Sequence, residues 1–182
     1  MQWTNTKTKW GGLAQLFHWG IFLLIIGQYS LAYTMTGMPD SEEKFYLYGW
    51  HKQMGVTLFL LVFIRLWWRE RNVIPENANK APKWTHGLAI IDIWGLYFLL
   101  FAFPLSGFLM TTLGGFSVNY FDLFTIPAFM EGPNTAAKIF RSLHTWFSFA
   151  LYFFVGVHIL GGLFHYFYLK DKALQGMLPI PE

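Results

Sequence analysis

The sequence predicts an all-α membrane protein, a bundle of four transmembrane helices with both termini cytoplasmic. Three observations carry that expectation: the chain holds little charge, it leaves long stretches with none, and its Lys and Arg residues fall unevenly. Of 182 residues, 54% are hydrophobic, 21% aromatic and 13% charged. A soluble domain carries roughly 25% charged residues, because its whole surface faces water. Half that value excludes an ordinary soluble globule, and the apolar content excludes disorder. The chain has no cysteine. That removes disulfides, thiolate nucleophiles, iron–sulfur clusters, thiolate zinc sites and covalent c-type haem attachment. A dispersed net charge of +3 does not make a nucleic-acid reader.

The first span is expected at about 13–35, inside an uncharged stretch from Trp10 to Pro39. It is long enough to cross a hydrocarbon core of roughly 30 Å at about 1.5 Å per residue. It lacks the short apolar run and small-residue cleavage site of a signal peptide. The second span, about 45–68, carries Lys52 and Arg65 near its two ends, where their stems can snorkel toward the interface. The third, about 86–110, has Asp92 as the only charge between Lys83 and Asp122. The fourth, about 142–168, lies in a segment without Lys, Arg, Asp or Glu from Ser142 to Leu169. Residues 1–182 read as one membrane domain, with no internal repeat or linker.

Lys7, Lys9, Arg65, Arg69, Arg71, Lys80, Lys83, Lys170 and Lys172 are nine of the 13 Lys and Arg residues, and they fall on one side of the spans. Lys44, Lys52, Lys138 and Arg141 fall on the other. The positive-inside rule makes the richer side cytoplasmic. The first outer loop is acidic, with Asp40, Glu42 and Glu43, and the second (GGFSVNYFDLFTIPAFMEGPN) reads as a folded cap at the interface.

Polar side chains inside a span are candidates for function, because burying them in lipid costs free energy. His18 lies near the cytoplasmic end of the first helix and His51 near the outer end of the second. On the fourth helix, His144 lies near the outer end, and His158 stands nearly four turns further in. Those fourteen residues rise about 21 Å and drift roughly 40° around the helix, so the two rings leave one face at two depths. His51 matches the outer depth and His18 the inner. Two imidazole pairs across a four-helix bundle suit two b-type haems with bis-histidine ligation, which leaves no open iron position and favours electron transfer. Each histidine alone is equally explained by a hydrogen bond to a neighbouring helix. Arg65 and Arg69 are candidates to pair with the propionates of the inner haem, and Lys52 or Arg141 with those of the outer one. A transporter that uses the histidines for a divalent metal or protons is a competing reading. A metal path would be expected to mix carboxylates or thioethers with them, whereas Asp92 is the only carboxylate at depth.

FHW around His18, YGWHKQMG around His51, IRLWWR, YFLLFAFPLSG and SLHTWFSFALYFFVGVHILGGLFHYFYLKD together resemble the bacterial cytochrome b561 family over essentially the whole chain. The resemblance implies a multi-pass protein of the bacterial inner membrane with two haems b. It places His18 and His158 on the cytoplasmic-side haem and His51 and His144 on the outer one. It further implies electron exchange between an outer-side donor and ubiquinone in a respiratory chain, the family including a superoxide oxidase that acts as a superoxide:ubiquinone oxidoreductase. This chain differs in the third span, where relatives often carry histidine and it reads AIIDIWG. A weaker resemblance is to the haem-bearing membrane anchor subunits of respiratory hydrogenases and formate dehydrogenases. His165 follows His158 by seven residues, about 10 Å closer to the cytoplasm. There it reads equally as an interfacial residue or as a donor to a ubiquinone headgroup. Asp92 is a candidate proton relay to that quinone, with a hydrogen bond inside the bundle or an interfacial position as its simpler reading. His86 opens the third span and reads as a solvated helix-start residue.

Overall fold

The computed structural model describes residues 2–75, 82–132 and 134–178. Lys80 and the side chain of Lys83, both counted among the cytoplasmic-side cations, lie outside the described residues. Four long helices dominate: α1 (Gly12–Gly37), α2 (Glu42–Glu70), α3 (Lys83–Thr112) and α4 (Thr135–Phe164). A two-stranded hairpin, β1 (Val118–Tyr120) and β2 (Phe124–Ile126), separates α3 from α4, so the protein is mostly helical rather than all-α. A π-helical turn (His165–Leu169) and a short α5 (Ala173–Met177) close the chain.

Among the described residues three helices are long and apolar enough to cross a membrane: Gly12–Gly37, Trp84–Thr112 and α4 continued through the π turn, Thr135–Leu169. α2 matches them in length but carries charge at both ends. Its start is fixed by the Ser41 side chain, which accepts from the Lys44 N–H at 3.2 Å, with Glu42 and Glu43 in the first turn against the helix dipole. The connection from α1 to α2 spans only Met38–Ser41, which forces them to be antiparallel neighbours. α4 begins earlier than the charge pattern suggested, at Thr135 rather than about 142. Asn134 caps it by accepting from the Ala137 N–H at 3.0 Å, while its amide donates to the Leu113 carbonyl at 2.7 Å. Polar residues before Ser142 thus remain helical because a cap holds them.

Hydrogen bonds bring the segment before α1, Val73 beyond α2, and α5 to one end of the bundle. Asn5 donates to the Val73 carbonyl at 3.0 Å; Gln15 donates to Gly176 O at 2.9 Å; and Trp19 donates to Met177 O at 2.7 Å. The hairpin lies at the other end, where Tyr120 bonds Thr57 of α2 at 3.3 Å and Phe121 packs 5.7 Å from Trp50. Its tight turn holds Phe121 and Asp122 at φ of 48° and 58°. Two bonds between Asn119 and Asp122 (3.1 and 2.6 Å) help hold that left-handed backbone. Gly115, at φ +87°, is required where the loop folds back, since a Cβ there would lie 2.6 Å from the Gly132 nitrogen.

The core is one apolar layer: Ile21 and Ile25 of α1, Leu58 and Val62 of α2, Tyr97, Leu99 and Leu100 of α3, and Leu151 of α4. Leu151 stands midway along α4 between His144 and His158, so the layer separates their two levels. Outward, Leu23, Phe63, Phe98, Phe153 and Leu160 are exposed. Large apolar side chains left exposed in such numbers suit a hydrocarbon solvent.

Candidate functional site

The six histidines sort by the partner of each ring. His18 of α1 faces His158 of α4, with ring centres 5.9 Å apart and planes tilted by 40°. His51 of α2 faces His144 of α4 at 6.4 Å and 87°. The first pair lies toward the end that holds the chain termini, the second toward the hairpin. α4 contributes a ring to both.

α3 orients both α4 rings. The Nδ1 of His144 lies 3.0 Å from the Phe103 carbonyl, a bond only its N–H can donate, with Ser106 Oγ at 3.1 Å. That tautomer leaves Nε2 as the lone-pair nitrogen. Gly107 makes room for the ring, since a Cβ there would stand 2.8 Å from its Cε1. The Nδ1 of His158 lies 2.8 Å from Oδ2 of Asp92, whose side chain is only 10% exposed. A carboxylate on Nδ1 again turns Nε2 outward as a ligand nitrogen, the usual support behind a metal-binding imidazole. Asp92 and His165, expected together at a quinone, have separate partners here.

The opposing rings are held less completely. Nδ1 of His51 is buried with no partner, while its backbone carbonyl accepts from Gln28 at 3.0 Å. His18 Nδ1 lies 3.1 Å from Nη2 of Arg65, which donates to it. Arg65 and Arg69 both stack on the Tyr97 ring, at 5.7 and 5.9 Å. Among the described residues neither has a carboxylate within ion-pair distance, and Arg69 Nε is buried without an acceptor. Half-buried guanidinium groups with only neutral partners form a site for an anion. At the hairpin end, Lys52 Nζ sits 5.7 Å from the Phe116 ring, and Arg141 is exposed.

His165 forms a third arrangement. Its Nδ1 meets Oδ2 of Asp171 at 2.6 Å, the two side chains being 17% and 5% exposed. His86 is exposed at the start of α3. Sequence reasoning missed Ser106, Gly107 and Asp171 as supports. The first two sit in the PLSG segment and the third in the KD that follows the fourth span.

The residues present suit a haem. Two imidazoles ligating one metal from opposite sides, each through a bond of about 2 Å, bring their ring centres to about 6 Å. Gly20 and Gly27, seven residues apart on α1, line a cleft of about 380 Å³ with Leu24, Gln28 and Met54. A Cβ added at either glycine would meet no atom within 4 Å. Rings paired at that separation, a buried His51 Nδ1 without a partner among the described residues, and two guanidinium groups without a carboxylate among them match a metal-centred group that carries anionic side groups.

A bundle that offers imidazole nitrogen from opposite walls, and no thiolate, has the architecture of a membrane-bound b-type cytochrome. The chain belongs to the prokaryotic cytochrome b561 family, which its residues 9–179 match. It is 29% identical over 185 residues to cytochrome b561 homolog 2 of Escherichia coli (strain K12), covering 98% of this chain and 95% of the relative. It is 26% identical over 162 residues to the "Probable superoxide oxidase CybB" of Yersinia pestis, covering 89% and 91%. A further relative, cytochrome b561 homolog 1 of the same Escherichia coli strain, is 27% identical over 165 residues. Membership makes this a bacterial membrane cytochrome with b-type haem and an electron-transfer role.

Proposed function

We propose that this chain is a four-span, diheme cytochrome of the inner membrane, with both termini cytoplasmic, that passes electrons between an outer-side donor and ubiquinone. The observation that carries the reading is the facing of His18 with His158 and of His51 with His144 at metal-bridging separation. α2 is the fourth span: Leu58 and Val62 bury into the shared core, and its charges cluster toward its ends. His18 and His158, and His51 and His144, would each hold a haem b, which would supply a one-electron couple.

The protein's part is to hold and orient. His144 and His158 present Nε2 because α3 occupies their Nδ1. Arg65 and Arg69 are assigned to the propionates of the inner haem. An ionised acceptor outcompetes a neutral imidazole nitrogen for a guanidinium, so a propionate would draw Arg65 from His18 and leave that ring free to turn Nε2 inward. Lys52 and Arg141 are assigned to the outer propionates. At the inner end Asp171 accepts from Nδ1 of His165, and a proton added to that ring would sit on Nε2, where it could be passed to a quinone carbonyl. Superoxide is the donor suggested by the name of the Yersinia relative. The acidic residues Asp40, Glu42 and Glu43 give that anion no electrostatic steering toward the first outer loop.

The test is haem content and visible spectra of the purified chain and four single variants. Two low-spin b-type haems per chain are expected. His18→Ala and His158→Ala should each remove the same haem, and His51→Ala and His144→Ala the other. Full haem content in any variant would remove that residue from the ligand set, and a colourless wild-type protein would overturn the reading.

A further inference from the structure

α3 contributes a ring to neither imidazole pair, yet it supplies the acceptor behind both rings of α4. The two acceptors differ in charge. Behind His144 stands the Phe103 carbonyl, a neutral dipole at 3.0 Å. Behind His158 stands the carboxylate of Asp92 at 2.8 Å. Asp92 is buried on the bundle side of α3, its second oxygen Oδ1 has no hydrogen-bond partner, and among the described residues no Lys or Arg lies within ion-pair distance of it. His158 is thus the group on which this carboxylate acts.

We propose that Asp92 is a positioning residue that locks His158 into the Nδ1–H tautomer and makes it a more electron-rich axial ligand than His144. The haem held by His18 and His158 is thereby poised at a lower reduction potential than its own ligands would give it. This rests on the diheme reading above and adds to it the source of an asymmetry between two centres with the same ligand set. A proton shared with an anion raises the basicity of the far ring nitrogen. A nearby negative charge also favours the oxidised iron, which carries one more positive charge than the reduced form. A backbone carbonyl fixes the tautomer of His144 without adding that charge.

The test uses the full, haem-loaded chain in lipid nanodiscs, titrated electrochemically while the haem bands are followed. The component that His158→Ala removes identifies the inner haem. Asp92→Asn keeps an oxygen able to accept from Nδ1 but removes the charge. It should retain both haems and shift the inner reduction equilibrium toward the reduced form by about tenfold, or about 59 mV for one electron, leaving the outer haem unmoved. The EPR g-values of the oxidised inner centre, which follow ligand basicity, should move with it. Asp92→Glu, which keeps the charge, should return the potential toward wild type. If Asp92→Asn sheds the inner haem, Asp92→Glu decides: a wild-type potential supports the assignment and a shifted one overturns it. An unchanged potential in Asp92→Asn overturns it too, and unchanged potential with slower quinone reduction would make Asp92 a proton relay instead. If His158→Ala keeps both haems, the ligand reading itself has failed, whatever Asp92 does.

Discussion

Gly107 decides where His144 can stand. A Cβ at that position would lie 2.8 Å from Cε1 and 3.0 Å from Nδ1 of the ring. The ring cannot yield cheaply, because the same Nδ1 is held against Phe103 and Ser106. Gly107→Ala is therefore expected to cost the outer haem while the inner one remains, read as half the haem content and loss of one spectral component. Gly87→Ala, at an α3 position where a Cβ meets nothing within 4 Å, should keep both haems. Two haems in Gly107→Ala would show that the ring has another place to go. That His18 faces His158 and His51 faces His144 was legible in the sequence because rise along a helix is fixed, so residue number converts to depth. Their supports were not. Asp92 and His158 are 66 residues apart and meet only if α3 and α4 turn the right faces toward each other. Counting along either helix cannot supply that rotation. Gly107 likewise has no meaning until a ring is placed against it.

At the level of elements, the end of α4 is shaped for more than termination. The helix widens into a π turn at His165–Leu169, and Lys170 leaves it in the left-handed region at φ 51°. That reversal brings Asp171 back onto His165, while its other oxygen accepts from the Ala173 N–H at 2.9 Å and starts α5. α5 in turn receives Gln15 and Trp19 of α1. His165 is thus fixed between two helices. His165→Ala should keep both haems and slow haem reoxidation by ubiquinone at least about tenfold, a floor set below the roughly 10²–10⁴-fold of a fully engaged proton donor. Asp171→Ala should slow it in the same direction and speed amide exchange over Ala173–Met177, because it frees both the ring and the α5 cap. Loss of a haem in His165→Ala would make that residue a ligand, and an unchanged rate would leave it interfacial. α1, α3 and α4 were legible because apolar stretches of this length with at most one charge have few other folds. The hairpin was not, because its turn (Asn119 to Asp122) carries none of the Asn-Gly or Asp-Gly signals that usually supply two left-handed residues. Side-chain bonds do that here, and they exist only once the loop has closed.

At the scale of the whole molecule, the structure draws the segment before α1, Val73 beyond α2, and α5 to one end of the bundle and the hairpin to the other. Charge predicts which end faces the cytoplasm. Among the described residues, Lys7, Lys9, Arg65, Arg69, Arg71, Lys170 and Lys172 belong to the terminal end against Lys44, Lys52, Lys138 and Arg141 at the other, and the positive-inside rule expects the richer end in the cytoplasm. The chain has no cysteine, so a single introduced thiol reports its own location without background. Thr4→Cys and Lys172→Cys place that thiol at the terminal end, and Glu42→Cys and Glu131→Cys place it at the hairpin end, all on exposed residues. In intact inner-membrane vesicles of native orientation, a membrane-impermeant maleimide should label Glu42→Cys and Glu131→Cys from outside. Thr4→Cys and Lys172→Cys should label only after the membrane is opened. The opposite pattern would invert the topology, and with it the assignment of the His18–His158 centre to the quinone side. Labelling of Glu42→Cys and Thr4→Cys from the same side would mean that α1 does not cross, which no arrangement with His18 and His51 at opposite depths could accommodate.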